Sequence, residues 1–178
     1  MSAGRRRSRT KLLSVTLASF GSLIMLRTCD VAPEADPTTT EAPPPAPMPA
    51  DPVLADVLSQ VNTFRAGAGV GQLTWSDQIA AAAARQSTDI AARGTRDHVG
   101  TDGSTPKSRM RDAGYPTKWW AESVASGFST GSAVVWAWMN SEDHRNNLLN
   151  SQAVHVGIAV ARSADGTPYW TIDLASGG

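Results

Sequence analysis

A proline-rich stretch from Val31 to Pro52 confines the fold of this chain to the residues that follow it. The stretch holds eight of the chain's eleven prolines, and residues 30–52 carry five acidic side chains and no basic one. A run such as PPPAPMP can neither pair in a sheet nor continue a helix, so it behaves as a semi-stiff extended tether. We therefore predict an acidic, proline-rich linker over residues 30–52 and a single folded domain over residues 53–178, long enough for its own core.

The segment before the linker is organised like an export signal. Six basic and no acidic side chains precede residue 30, and a largely apolar run from Leu12 to Leu26 follows the basic start. That run is shorter than the roughly 18 residues of a membrane-spanning helix. We interpret residues 1–29 as a signal peptide and expect a secreted or extracytoplasmic domain.

Cys29, the only cysteine, ends the signal segment. The tetrapeptide LRTC resembles a bacterial lipobox: Leu26 fits, whereas Arg27 and Thr28 stand where small residues are usual. Two readings stay open, a lipidated Cys29 that anchors the protein to a membrane and an unmodified cysteine of the signal region. In both, the domain has no thiol, which excludes disulfides and thiolate chemistry.

The charge of the domain excludes one class of partner. Residues 53–178 contain ten Lys and Arg against eleven Asp and Glu, a net charge of −1. Nucleic-acid binding needs a basic surface, so we predict no nucleic-acid partner.

Helix start and stop signals predict three helices in the first half of the domain. The first begins after Asp51-Pro52, the second is capped by Ser76 and ends at Gly94, and the third runs from Thr105-Pro106 to Gly114. The alanines of the second helix allow close packing against its neighbours. The first helix carries apolar residues at helical spacing, namely Leu54, Val57, Leu58, Val61 and Phe64.

The stretch AVVWAWMNSEDHRNNLLN, Ala133 to Asn150, predicts two helices joined by a polar corner. Its first half places Val134, Val135, Trp138 and Met139 on one side of a helix. Asn140-Ser141 can turn a side-chain oxygen onto free backbone N–H groups and so begin a second helix. His144 lies in the first turn of that helix, where the positive helix end favours a neutral imidazole that can bind a metal or accept a proton.

Period-two patterns predict at least three strands. One runs from Lys118, and two others form a hairpin over residues 154–174 with its turn at Asp165-Gly166. Helices before and between these strands indicate a mixed sheet covered by helices. In the first strand, Glu122 lies between Trp120 and Val124 on the same side. A carboxylate there indicates either a cavity with polar partners or a solvated face.

These motifs stand together in a fixed order. They are Asn62 with Arg65, His98 before Asp102-Gly103, Arg109 before Gly114-Tyr115, Glu122, WMNSEDHRNNLL, VGIAV and YWTIDLAS. The set resembles the CAP superfamily of cysteine-rich secretory, antigen 5 and pathogenesis-related proteins, in its short bacterial form, over about Leu54 to Ser176. The resemblance implies an α+β fold, a three-layer α-β-α sandwich with a mixed, mainly antiparallel sheet.

The resemblance also implies a cleft lined by two histidines and acidic residues. These map onto His98, Glu122 and His144, and a fourth position falls on Ser141, with the adjacent Glu142 as a substitute acid. The chain departs from the family at Ser123, where asparagine is usual, and at Glu142-Asp143, where many bacterial relatives have Pro-Gly. The disulfides of the animal proteins are absent as well.

Two imidazoles and a carboxylate are ligand types that suit Zn²⁺ or another divalent cation. His98 and His144 are the candidate metal ligands, with Glu122 as a third. The residues alone favour a simpler reading, in which His144 bonds to Glu122 and His98 is an exposed loop side chain, whereas the resemblance favours convergence.

Two functions stay open. We favour a binding module for a metal, a small apolar ligand or a cell-envelope partner, because the family's activities are mostly not enzymatic. The alternative is a hydrolase of peptide or cell-envelope substrate, with Glu122 as its general base.

Overall fold

The computed structural model describes residues 48–177. The signal peptide, Cys29 and most of the linker lie outside the described residues, and those predictions stay untested. Within residues 48–177 no helix is long and apolar enough to cross a membrane. The elements of this part of the chain are α1 (Pro52–Gly67), β1 (Thr74–Trp75), α2 (Asp77–Arg93), α3 (Pro106–Asp112), β2 (Thr117–Ser126), α4 (Gly131–Met139), α5 (Glu142–Leu148), β3 (His155–Arg162) and β4 (Pro168–Gly177).

The four strands form one mixed sheet in the order β1-β3-β4-β2. β1 pairs with β3 in parallel, and β4 pairs in antiparallel fashion with both β3 and β2. The predicted strands and hairpin are confirmed. The two-residue β1 is too short to produce a periodic pattern, and the sequence did not predict it.

Helices cover both faces of the sheet. Alternate residues of a strand point to opposite faces. On one face, Ala121, Ile172 and Leu174 share a core with residues of α1, α4 and α5. On the other, Val124 and Ala175 pack against residues of α2 and α3. This is the predicted α-β-α sandwich, and β2, which carries Glu122, lies at an edge of its sheet.

The predicted helix caps form with one exception. The Asp51 and Ser76 side chains accept backbone N–H groups of α1 and α2, and Thr105 makes a capping box with Ser108 at the start of α3. Gly94 ends α2 with φ of 69°, a conformation that glycine adopts without strain. The predicted side-chain cap at Ser141 is wrong: the residue precedes α5 in extended conformation, but its hydroxyl makes no cap bond.

Arg65 fastens α1 to the segment that follows α5. Its buried guanidinium donates to four backbone carbonyls, with no carboxylate among them. The bonds run from Nε to Gly71 O (2.7 Å), from Nη1 to Leu148 O (2.6 Å) and Asn150 O (3.0 Å), and from Nη2 to Ala153 O (3.2 Å). One of these carbonyls, that of Leu148, belongs to the last residue of α5, the helix that carries His144.

Candidate functional site

Glu122 is a buried carboxylate that is bonded to two side chains, one histidine and one arginine. Its side chain is 1% exposed. Oε1 lies 2.7 Å from Nδ1 of His98, and Oε2 lies 2.5 Å from Nη2 of Arg109. Of the two readings of this unusual position, the solvated face is wrong, and the structure supports a buried side chain with polar partners. Both carboxylate oxygens are engaged by protein side chains.

Arg109 joins Glu122 to the loop that carries His98. Its side chain is fully buried, and Nη1 donates to the carbonyl oxygens of His98 (3.2 Å) and Ser104 (3.1 Å). One guanidinium thus bonds both to the carboxylate of Glu122 on β2 and to the backbone carbonyl of His98. The sequence pointed to Arg109 only as a motif residue and did not predict this role. The available signal was an arginine on the inward face of a short helix, which can pair with a carboxylate that also points inward.

His98 presents one ring nitrogen to the outside. Its side chain is 52% exposed, and Nδ1 is occupied by Glu122. A carboxylate accepts only from an N–H, so Nδ1 carries the proton and Nε2 is the free nitrogen of a neutral ring. The hydrogen bond to Glu122 raises the pKa of His98 above its ordinary 6.5, against the opposing effect of partial burial.

His144 lies close to His98 and has the opposite tendency. It occupies the first turn of α5 and is half-buried. Burial lowers the pKa of His144 below 6.5, and positive charge at His98 and Arg96 lowers it further, against a smaller opposing effect of Asp143. The ring is therefore neutral over a wider pH range than an ordinary histidine, as the sequence predicted, although burial rather than the helix end is the leading cause.

An asparagine of α5 ties this helix to the strand that carries Glu122. Nδ2 of Asn147 donates to the Glu122 carbonyl oxygen (3.2 Å) and to Oγ of Ser123 (3.3 Å). Ser123 is the position at which the resemblance led us to expect asparagine. An amide from the neighbouring helix therefore reaches the backbone there, and it holds α5, and with it His144, against β2.

The other predicted cleft residues are less involved. Ser141 is half-buried and Glu142 is exposed. Within residues 48–177 no hydrogen bond or ion pair joins either of them to His98, Glu122 or His144. The structure thus brings two histidines and one carboxylate into a common region, and Ser141 and Glu142 flank it as candidates only.

This geometry limits which of the predicted side chains can bind a metal ion. Among the described residues, no three His, Cys, Asp or Glu side chains are arranged so that they could hold a metal ion. Glu122 does not fit a ligand role because its oxygens bond to His98 and Arg109. His98 and His144 stay the predicted metal ligands, and Glu122, named as a possible third ligand, orients His98 in this structure.

Asp173 is a second buried carboxyl group behind Glu122, and its burial was not predicted from the sequence. It is the residue paired with Glu122 across β2 and β4, and it is fully buried. The alternation Trp170, Ile172, Leu174 marked the opposite face of β4 as the core side. Because β4 is an inner strand covered on both faces, the side chains between those residues are buried as well.

The three-layer fold is that of a CAP domain. Residues 58–174 match the family model described as the cysteine-rich secretory protein family. The chain belongs to the CAP family.

Three of the proteins that it resembles are bacterial. YkwD of Bacillus subtilis is 31% identical over 115 residues, which is 65% of this chain and 44% of YkwD, so the chain spans less than half of that relative's length. An outer surface protein of Borrelia burgdorferi has the same fold, with a TM-score of 0.64 and 21% identity over 69% of this chain and 91% of that protein. An extracellular protein with an SCP domain from Bacillus anthracis matches with a TM-score of 0.60 and 24% identity, over 74% of this chain and 45% of that protein.

Proposed function

We propose that this protein is an extracytoplasmic binding module. Its cleft, meaning the region shared by His98, His144 and the buried Glu122, holds a divalent cation or a polar group of a small ligand or cell-envelope component. The observation that carries the proposal is the buried Glu122: with a protein side chain bonded to each oxygen, it orients His98 and leaves the two imidazoles as the groups that can meet a ligand.

The donor set of the cleft fits a divalent cation such as Zn²⁺. Imidazole nitrogen is a common zinc ligand, and a ligating histidine usually donates its other N–H to a carboxylate. His98 has this arrangement through Glu122. His98 and His144 would hold the ion, with the remaining positions left to atoms of the bound molecule. The cation would supply positive charge that attracts an oxygen of that molecule.

The hydrolase alternative is less well supported. A general base must come within hydrogen-bond distance of the proton that it removes. Glu122 is 1% exposed and already accepts bonds from His98 and Arg109. The side chain that this reading makes the base is therefore occupied, and a binding role requires no such group.

Titration calorimetry with ZnCl₂ on the metal-free full chain tests the proposal. We expect one site, with affinity lowered at least about tenfold in His98→Ala and in His144→Ala. His155→Ala is the matched control, because Nδ1 of His155 lies 2.8 Å from the Tyr115 hydroxyl and is engaged outside the cleft. Binding that is unchanged in both cleft variants would exclude the cation site.

Turnover is tested separately with cell-envelope preparations. A binding module retains envelope material without releasing soluble fragments. Fragment release by the full chain that is lost in His98→Ala and His144→Ala, but kept in His155→Ala, would instead establish the hydrolase.

The extracytoplasmic setting is part of the proposal, and an N-terminal lipid anchor belongs with it. The basic and apolar start of the chain supports export, and the partial lipobox supports lipidation at Cys29. Mass spectrometry of the mature N-terminus should find a lipid-modified Cys29, and Cys29→Ala should release the protein from the membrane fraction. A mature chain that begins elsewhere, with no lipid, would remove the anchor and leave a secreted protein.

A further inference from the structure

Asp173 lies at the rear of the cleft in a position that a charged carboxylate could hardly occupy. It is fully buried, and neither carboxyl oxygen accepts a hydrogen bond from any group in residues 48–177. A buried ionised carboxylate without donors is among the costliest arrangements in a protein. Glu122, its partner across the strands, has the opposite surroundings, since His98 and Arg109 both bond to it.

The surroundings of Asp173 offer little positive charge. The charged groups that act on it are Glu122 from β2 and Arg109 from α3. β3 places Gly157 opposite Asp173, and α2 covers that glycine with backbone atoms of Ile79 and Ala80. Burial raises the pKa of Asp173 well above its usual range, and the Glu122 carboxylate raises it further, against a smaller opposing effect of Arg109.

We propose that Asp173 is a neutral carboxylic acid that donates its O–H to the ionised Glu122, and that it is thereby a positioning residue of the cleft. Each carboxylate oxygen has two lone pairs, so Glu122 can accept this bond in addition to those from His98 and Arg109. The two carboxyl groups then hold one proton between them, as like-charged neighbours in a buried site must. Asp173 has no donor of its own, so the proton resides on its side of the pair.

This arrangement has a consequence for the charge behind the cleft. With Asp173 neutral, the negative charge of Glu122 is balanced by Arg109, and the buried group as a whole is uncharged. An ionised Asp173 would leave one uncompensated negative charge in the interior. The inference concerns only these buried side chains, and it holds whether or not the cleft binds a cation.

The protonation state can be read directly in the wild-type protein. The full chain, labelled with ¹³C at the aspartate carboxyl carbons and kept free of metal by a chelator, is followed by NMR from pH 3 to pH 8. We expect one aspartate carboxyl resonance with the shift of a protonated acid at pH 7, and its absence from Asp173→Asn. If every aspartate resonance of the wild type has the shift of an ionised carboxylate at pH 7, the proposal is wrong, whatever the variant does.

The pH dependence of unfolding gives an independent readout. A folded state that keeps a proton which the unfolded chain loses near pH 4 becomes less stable as pH rises. Relative to Asp173→Asn, which keeps a donor but cannot titrate, the unfolding constant of the wild type should therefore increase by up to about tenfold per pH unit above pH 4. The ratio should level off once the folded protein also loses the proton.

The control is Asp112→Asn, because Asp112 is exposed and its partner Arg85 also pairs with Asp102. This variant should keep the pH slope of the wild type. An Asp173→Asn chain with that same slope would show that Asp173 is ionised in the folded protein and would overturn the inference.

Discussion

Glu122 determines which atoms of the cleft are open to a ligand. Because its oxygens bond to His98 and Arg109, Glu122 orients one imidazole, and each of its own oxygens already has a protein partner. His144 has no such partner among residues 48–177 and depends on α5 for its position. The two histidines therefore differ in environment although they lie in one region, and their titration should reveal the difference.

We predict that His98 and His144 titrate on opposite sides of pH 6.5 in the metal-free protein. The hydrogen bond to Glu122 raises the pKa of His98, whereas burial lowers that of His144. NMR of the imidazole carbons as a function of pH measures both. In Glu122→Gln the titration of His98 should move to lower pH, since the bond that favours its charged form is lost. Two histidines that titrate together near pH 6.5 would contradict the described geometry.

The raised pKa of His98 also predicts how the stability of the fold changes with pH. A group whose pKa is raised in the folded state stabilises it below the unfolded pKa of about 6.5, and the contribution is lost as pH rises through the folded pKa. Relative to His98→Gln, the wild type should therefore gain stability in acid. The gain should stay below about 1 kcal/mol because His98 is half-exposed. Chemical denaturation at pH 5.5 and pH 8 checks this, and a difference that grows towards alkaline pH would have the wrong sign.

At the residue scale, the sequence predicted which side chains belong to the site better than it predicted the contacts between them. The resemblance to the CAP superfamily, and not the residues alone, implied that His98, Glu122 and His144 line one cleft. The residues alone favoured His144 as the partner of Glu122, and this prediction is wrong, because the fold places His98 on that carboxylate. Asp173 escaped notice because period-two alternation marks one buried face, and an inner strand has two.

Among the elements, α2 and β3 approach each other so closely that only glycine fits between them. A Cβ built on Gly157 would collide with the backbone of Ile79 and Ala80. The predicted close approach of this alanine-rich helix therefore occurs, and a glycine on the strand permits it. The pair holds one layer of the sandwich directly over the strand row that contains Asp173 and Glu122.

We predict that Gly157→Ala destabilises the fold by about 3 kcal/mol. The added methyl group meets backbone atoms, which cannot move aside as a flexible side chain can, so α2 must shift as a whole. Gly67→Ala is the control, since nothing lies within 4 Å of its Cβ position. That variant should be neutral or slightly stabilising, by about 0.5 kcal/mol. Denaturant unfolding of both variants makes the comparison, and equal stabilities would mean that α2 does not pack on Gly157.

Elements with strong local signals were predictable and those that depend on neighbours were not. Asp51, Ser76 and Thr105 each have an oxygen that satisfies a free N–H group, so the starts of α1, α2 and α3 follow from local chemistry. β1 exists only because Thr74 and Trp75 meet β3 in parallel. Ser141 has the residue type of a cap, but its side chain makes no cap bond.

For the molecule as a whole, Arg65 is the side chain that links the start of the domain to the end of α5. It connects the first helix of the domain to the chain after α5, at positions more than 80 residues away along the sequence. Burial lowers the pKa of Arg65, so its charge is held against the desolvation cost by bonds to carbonyl oxygens alone. Without the guanidinium, those carbonyls would stay buried and lack a donor.

We predict that Arg65→Met costs at least about 3 kcal/mol of stability, because several buried acceptors lose a charged donor at once. Arg65→Lys should recover only part of this, since one ammonium cannot match the planar fork of a guanidinium. Arg111→Met, at an exposed position of α3, is the control and should change stability by less than about 0.5 kcal/mol. Denaturant unfolding measures all three.

The cleft provides a second readout of the same variants. Arg65 holds the segment after α5, and α5 carries His144, so a loosened anchor should weaken Zn²⁺ binding even at temperatures where the Arg65→Lys chain is folded. Calorimetry well below its melting temperature separates this effect from unfolding. If Arg65→Lys loses stability but binds Zn²⁺ like the wild type, the anchor supports the fold without positioning His144, and Asn147, through its bonds to β2, is then sufficient to hold the helix.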